Sequence, residues 1–171
     1  LLPTLSKFRD IALQETQKLL LKILSDKKPD LLFGLALLVG DSNEKRRVLK
    51  ILKQINSSFG YDDVDKIAVL GRIGMRYCAV PYLLQQYIAF KKLLVQAVWA
   101  KKSTLLGGSN KRIFTVDTEE DKTKVLQSLV EHNDLKLKTL TVDDILQFSK
   151  AFDLDIASVL FLFIRSALTS S

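Results

Sequence analysis

A chain of 171 residues with a net charge of +7 and 47% apolar residues is too hydrophobic for wholesale disorder and large enough to bury a core of its own. Its longest uninterrupted apolar run, Val159 to Ile164, falls far short of the about 20 residues that a membrane-spanning helix needs. A single cysteine, Cys78, excludes an internal disulfide and points to a reducing, intracellular compartment.

The charge is uneven. Residues 1–112 carry 20 Lys+Arg against 9 Asp+Glu, whereas residues 113–171 carry 6 against 10. A basic body with an acidic end steers charged partners. The chain opens on Leu1, its only methionine is Met75, and no charged leader precedes a short apolar core. It is expected to be a piece of a longer protein.

Apolar residues recur at helical spacing almost throughout. Leu5, Phe8, Ile11, Ala12, Leu19 and Ile23 cluster on one side of a first helix, with Thr4 placed to cap its start. Pro29 closes that region and suits the first turn of a second helix, Asp30 to Val39, apolar nearly all round and so expected to be buried. Asp41 and Glu44 form an approximate capping box for a third. There Val48, Leu49, Ile51, Leu52 and Ile55 face inward, and Lys45, Arg46, Lys50 and Lys53 face water. Asn56 to Gly60 ends that helix. Asp62 and Asp63 favour a new start, continued by Val64, Ile67, Leu70, Ile73 and Tyr77.

Pro81 separates this from a long helix near Tyr82 to Lys101. Residues 102–117, with Gly107-Gly108-Ser109-Asn110 and several basic residues, read as a flexible surface loop whose shortening should cost little. Thr118 with Asp121 starts another helix, its inner face Val125, Leu126, Leu129 and Val130. Thr141 with Asp144 starts the next, followed by Ile145, Leu146, Phe148 and Phe152. Asp153 or Asp155 starts the last, in which Ile156, Val159, Leu160, Phe163 and Ile164 can pack, with Phe152, Leu160 and Phe163 expected to be buried. Only Arg112 to Val116 and Leu135 to Leu140 alternate as a strand would.

Helix starts near residues 4, 42, 82 and 118 lie 38, 40 and 36 residues apart, within the range of about 34 to 47 residues of helix-pair repeats. The expected fold is therefore all-α, an irregular α-solenoid of antiparallel helix pairs in a single fragment, with a compact helical bundle as the alternative.

Catalytic constellations are hard to assemble. The sole histidine, His132, lies at a predicted helix end, where interaction with the dipole explains it. Cys78 sits in an apolar helical setting, where a thiol is inert. The acid pairs Asp62-Asp63, Glu119-Glu120 and Asp143-Asp144 all stand at helix starts. Gly71-Arg72-Ile73-Gly74 has the spacing of a nucleic-acid clamp loop, but the strands of such a domain are missing; two glycines three apart also allow close helix packing. Gly107 to Lys111 lacks the spacing of a phosphate loop. Trp99 reads as core or interface. No metal, nucleotide or other cofactor is expected.

Asp144-Ile145-Leu146, Phe152-x-Leu154-Asp155 and Leu160 with Leu162-Phe163-Ile164, within residues 141–168, resemble the central α-solenoid of the Rod (rough deal) family of kinetochore-associated scaffolds. Leu70-Gly71-Arg72-Ile73-Gly74 is compatible with it. The resemblance implies a part of the Rod–Zwilch–Zeste-white-ten complex, which serves the spindle checkpoint at kinetochores and recruits dynein through Spindly. It implies Zwilch, Zeste-white-ten and Spindly as partners, a location at kinetochores and in the cytoplasm, and no catalytic residues.

The expectation is a non-enzymatic scaffold whose contact face is the basic side of one helix, Arg46, Lys50 and Lys53. The alternatives are a nucleic-acid-binding helical domain using residues 1–112 and a solenoid of a vesicle-tethering complex.

Overall fold

The computed structural model describes residues 2–26, 30, 34, 45–105, 109–131 and 141–169, with the side chains of 2–6, 131, 166 and 167 excepted. Among these residues every regular element is helical: α1 (Leu2–Ser25), α2 (Lys45–Ser57), α3 (Val64–Tyr77), a 3₁₀ turn (Pro81–Leu83), α4 (Leu84–Leu105), α5 (Asn110–Phe114), α6 (Glu119–Glu131), α7 (Val142–Phe152) and α8 (Ile156–Thr169). No helix of the described residues is long and apolar enough to cross a membrane. Contacts divide the chain into two compact units, Leu1–Leu94 and Val95–Ser171.

The first unit is organised around α2. Val48, Leu49, Ile51, Leu52 and Ile55 are all buried, as their 3- and 4-residue spacing requires. They join Leu13, Leu20 and Leu24 of α1, Leu70 and Ile73 of α3, and Phe90 of α4 in one core. Val64 and Ile67 are buried as expected and Tyr77 is half-buried.

α1 presents a different row from the one its sequence suggests. Phe8, Ile11, Ala12 and Leu19 are exposed, Phe8 by 66%, and only Ile23 of the described members of that row is buried. The helix already runs at Leu2, so Thr4 lies inside it and is not its cap. A leucine-rich helix offers two apolar rows, and the neighbours that pack on it, α2 and α3, select Leu13, Leu20 and Leu24. Of the expected Asp30–Val39 helix only Asp30 and Gly34 are described: the Gly34 N–H donates to the Asp30 carbonyl at 3.1 Å, and Gly34 is buried. The Asp41–Glu44 cap lies outside the described residues.

Gly71 and Gly74 are packing glycines inside α3, not a clamp loop. A Cβ on Gly71 would lie 3.0 to 3.2 Å from the backbone and Cβ of Leu94, and one on Gly74 would lie 2.2 to 2.5 Å from the ring of Phe90. Gly74→Ala gains about 1 kcal/mol of helix propensity but forces the buried Phe90 ring aside. A net loss of about 1–3 kcal/mol is expected from the overpacking, read as a lower urea midpoint. Gly60→Ala, whose added Cβ meets nothing closer than 3.8 Å, is the matched control and should be near neutral.

The second unit packs α6, α7 and α8 on one another. Val125, Leu126, Leu129 and Val130 of α6 are all buried. Thr141 caps α7: its hydroxyl accepts from the Asp144 N–H at 3.2 Å, and the Asp144 carboxylate accepts from the Thr141 N–H at 3.1 Å. Thr118 and Asp121 repeat the arrangement at α6, at 3.1 and 3.4 Å. Asp153 ends α7 in the left-handed region at φ 57°, which aspartate tolerates better than most residues. Asp155, not Asp153, starts α8: its carboxylate accepts from the Ser158 N–H at 3.0 Å.

Ile145, Phe148, Phe152 and Val159 are buried. Leu146, Leu160 and Phe163 are only half-buried, and Ile156 and Ile164 are exposed. The apolar set of α8 is thus wider than the face that α6 and α7 cover.

Of the residues 102–117 expected as a loop, 106–108 lie outside the described residues, and most of the described ones are helical. α4 continues to Leu105, and Asn110–Phe114 forms α5. Ile113 and Val116 are buried, and the buried Gln96 amide donates to the Ile113 and Phe114 carbonyls, each at 3.3 Å. A five-residue helix is too short to show a period, so its glycine neighbours dominated the sequence signal. The same helix occupies the Arg112–Val116 stretch that alternates like a strand; Leu135 to Leu140 lies outside the described residues.

Candidate functional site

α2 reads KRRVLKILKQINS, with five basic residues and no acidic one. Its inner face is fixed by the five buried apolar residues, so its charges must fall on the rest of the surface. Arg46, Lys50 and Lys53 are all exposed. At 3.6 residues per turn their directions agree within about 60°, one row over two turns. None of the three makes an ion pair among the described residues.

The other two basic residues of α2 are engaged. Arg47 donates to the Asp10 carboxylate of α1 at 2.7 Å, and Lys45 stands over the Tyr82 ring at 5.1 Å from its centre. Lys45 is half-buried, a departure from the wholly solvated position expected of it. The exposed row is therefore the set Arg46, Lys50 and Lys53, legible beforehand because α2 has an unambiguous inner face.

Lys53 also borders a groove of about 320 Å³. It is lined by Lys53 and Asn56 of α2 and by Gln85, Gln86, Ala89, Phe90 and Leu93 of α4. No local pattern marks the groove, because it is made by residues of two helices distant in the chain.

Charge follows the division into units. Residues 1–94 carry 16 Lys+Arg against 9 Asp+Glu, and residues 95–171 carry 10 against 10. The whole net positive charge thus belongs to the unit that holds α2.

The remaining candidates have structural roles. Cys78 is buried and desolvation pushes its thiol up, the charge of Lys45 only partly offsetting this. The helix-start carboxylates are pulled down, Asp63 by Lys66 and the Gly60 N–H, Asp121 by Thr118, and Asp155 by Ser158. Acids held ionised in this way suit capping and not proton donation. Trp99 is buried, its ring edge-on to Phe148 at 4.8 Å, so it is core. His132 lies outside the described residues. Among the described residues no three His, Cys, Asp or Glu side chains group as metal ligands do.

Asp144 adds a tie to its cap. Burial raises its pKa, but an ion pair with Lys102 and the Thr141 hydrogen bonds outweigh that and leave it lowered. Lys102 in turn lies over Trp99 at 4.7 Å. A carboxylate with a depressed folded pKa contributes stability that is complete above its unfolded pKa of about 3.9 and lost as pH falls through the lower folded value. Thermal unfolding between pH 5 and 2 should therefore show a steeper fall for the parent chain than for Asp144→Asn, which cannot titrate; parallel curves would show that Asp144 contributes no pH dependence.

The family model described as KNTC1 third ARM-repeats domain matches residues 14–171. No curated protein and no solved structure matches the chain.

Proposed function

The chain belongs to the KNTC1 third ARM-repeats family, a Rod-like all-α solenoid segment, and on that premise we propose that it is a non-enzymatic scaffold segment that meets its partners through the basic row of α2. KNTC1 is the human homologue of Rod, and the stretch that resembles Rod, residues 141–168, lies inside the matched residues. The assembly is the Rod–Zwilch–Zeste-white-ten complex at kinetochores, with Zwilch, Zeste-white-ten and the dynein adaptor Spindly as candidate partners.

The observation that carries the contact face is the row Arg46, Lys50 and Lys53, exposed and outside any ion pair among the described residues. Such residues contribute little to the stability of their own helix. They are free to recognise acidic surfaces and to speed encounter with them. The nucleic-acid reading draws on the same charge, and its mark would be a steep loss of affinity with salt.

The test is capture of purified Zwilch, Zeste-white-ten and Spindly by the chain and by a variant carrying Arg46→Glu, Lys50→Glu and Lys53→Glu. The helical circular dichroism of the two should agree, and recovery of at least one partner should fall by about tenfold. Equal recovery of every partner would remove the basic row as the contact.

A further inference from the structure

The basic row of α2 and the groove beside it share Lys53, and we infer that the two form one docking site for an acidic amphipathic helix, its carboxylates on the row and its apolar side chains in the groove. The inference rests on the scaffold reading above and adds the chemistry of the partner.

Charge complementarity selects an acidic occupant. α2 holds no acid of its own, so the row is not neutralised along the helix by neighbours three or four residues away. The unit that carries it has an excess of basic residues over its whole length. A partner presenting carboxylates at helical spacing would meet Arg46, Lys50 and Lys53 in register, since all three sit on one side of two successive turns.

The groove selects an amphipathic one. Gln85, Ala89 and Leu93 succeed each other at four-residue steps, so the groove follows α4 for two turns, about 12 Å. Ala89, Phe90 and Leu93 are its apolar lining, and Asn56, Gln85 and Gln86 add amide groups to it. That length takes two apolar side chains from adjacent turns of a second helix, whose spacing on one face is about 5–6 Å. A phosphodiester backbone would satisfy the row but leave this apolar lining uncovered. Strand addition has no edge to use, since no strand exists among the described residues.

The experiment is fluorescence anisotropy on the 171-residue chain with a labelled synthetic helix that carries glutamates on one face and leucines at i, i+3, i+4 and i+7 on the other. A scrambled peptide of the same composition, a polyglutamate peptide and a single-stranded oligonucleotide of equal charge are the comparison probes. The amphipathic helix should bind at least about tenfold more tightly than the scrambled and polyglutamate peptides. Ala89→Trp, which fills the groove from an exposed position, should weaken that binding by about tenfold and leave helical circular dichroism unchanged. Gln85→Trp, at a second exposed lining residue, is the second variant and should act alike. Lys50→Glu should weaken binding of the helix and reduce its salt dependence.

Equal binding of helix and scramble, or indifference to both tryptophan variants, overturns the inference; so does an oligonucleotide that binds more tightly than the helix. The two readings fail separately. If the triple Glu variant loses the complex subunits while Ala89→Trp keeps them and still binds the probe, the scaffold reading stands and the groove falls. If neither substitution changes subunit capture, the basic row and the groove both fall as contacts, and the scaffold reading stands without them.

Discussion

Phe148→Ala is expected to destabilise the second unit by about 3–5 kcal/mol, the usual cost of truncating a buried aromatic residue. Phe148 is fully buried. Its ring meets the edge of Trp99 at 4.8 Å and stacks on Phe152 at 4.4 Å with 27° between planes. Truncation removes both ring contacts, worth about 0.5–1.5 kcal/mol each beyond the area they bury. The space left behind is lined by Trp99 and Phe152, which are themselves held in the core and cannot collapse into it freely. Urea unfolding should show a lower midpoint with an unchanged slope. Phe161→Ala, at a position 67% exposed, should move the midpoint by less than about 0.5 kcal/mol. Equal effects of the two would mean that the aromatic cluster does not form.

The second large effect is expected at Ile113→Ala, about 2–5 kcal/mol. Ile113 has no exposed surface and lies in α5, inside the stretch whose composition suggests a dispensable loop. The Gln96 amide, itself buried, holds the Ile113 and Phe114 carbonyls at 3.3 Å. Removing the side chain leaves that polar anchor without the apolar contact that positions it. Thermal denaturation should show a fall in midpoint of about 8 °C or more, in keeping with about 4–8 °C per kcal/mol for a domain of 60–100 residues. A shift below one degree would restore the loop reading. Shortening the chain between residues 103 and 117 should likewise be costly, because Ser103, Ile113 and Val116 are all buried.

Legibility depended on how far along the chain each signal reaches. The caps Thr118 with Asp121 and Thr141 with Asp144 are made within three residues, so spacing alone is enough to place them. The inner faces of α2 and α6 are equally plain. Each has one apolar row, and its opposite side is polar. The basic row Arg46, Lys50 and Lys53 follows from that, since once the inner face of α2 is known the outer face is what remains. The close approach of α3 to α4 is suggested by Gly71 and Gly74 but is only completed by Leu94 and Phe90.

By itself the sequence determined the all-helical build, the starts of α6 and α7 and the side of α2 that carries unopposed charge. These depend on hydrogen bonds and periodicities spanning a few residues. Tertiary structure decided the rest. It chose Leu13, Leu20 and Leu24 over Phe8, Ile11 and Leu19 on α1, and left Ile156 and Ile164 of α8 in water while burying Val159. It made a helix of Asn110–Phe114 and cut the groove beside Lys53. The reason is common to all four. Where a helix is apolar on more than one side, or too short to show a period, local free energies are nearly equal, and the area removed from water by a neighbour distant in the chain selects the face.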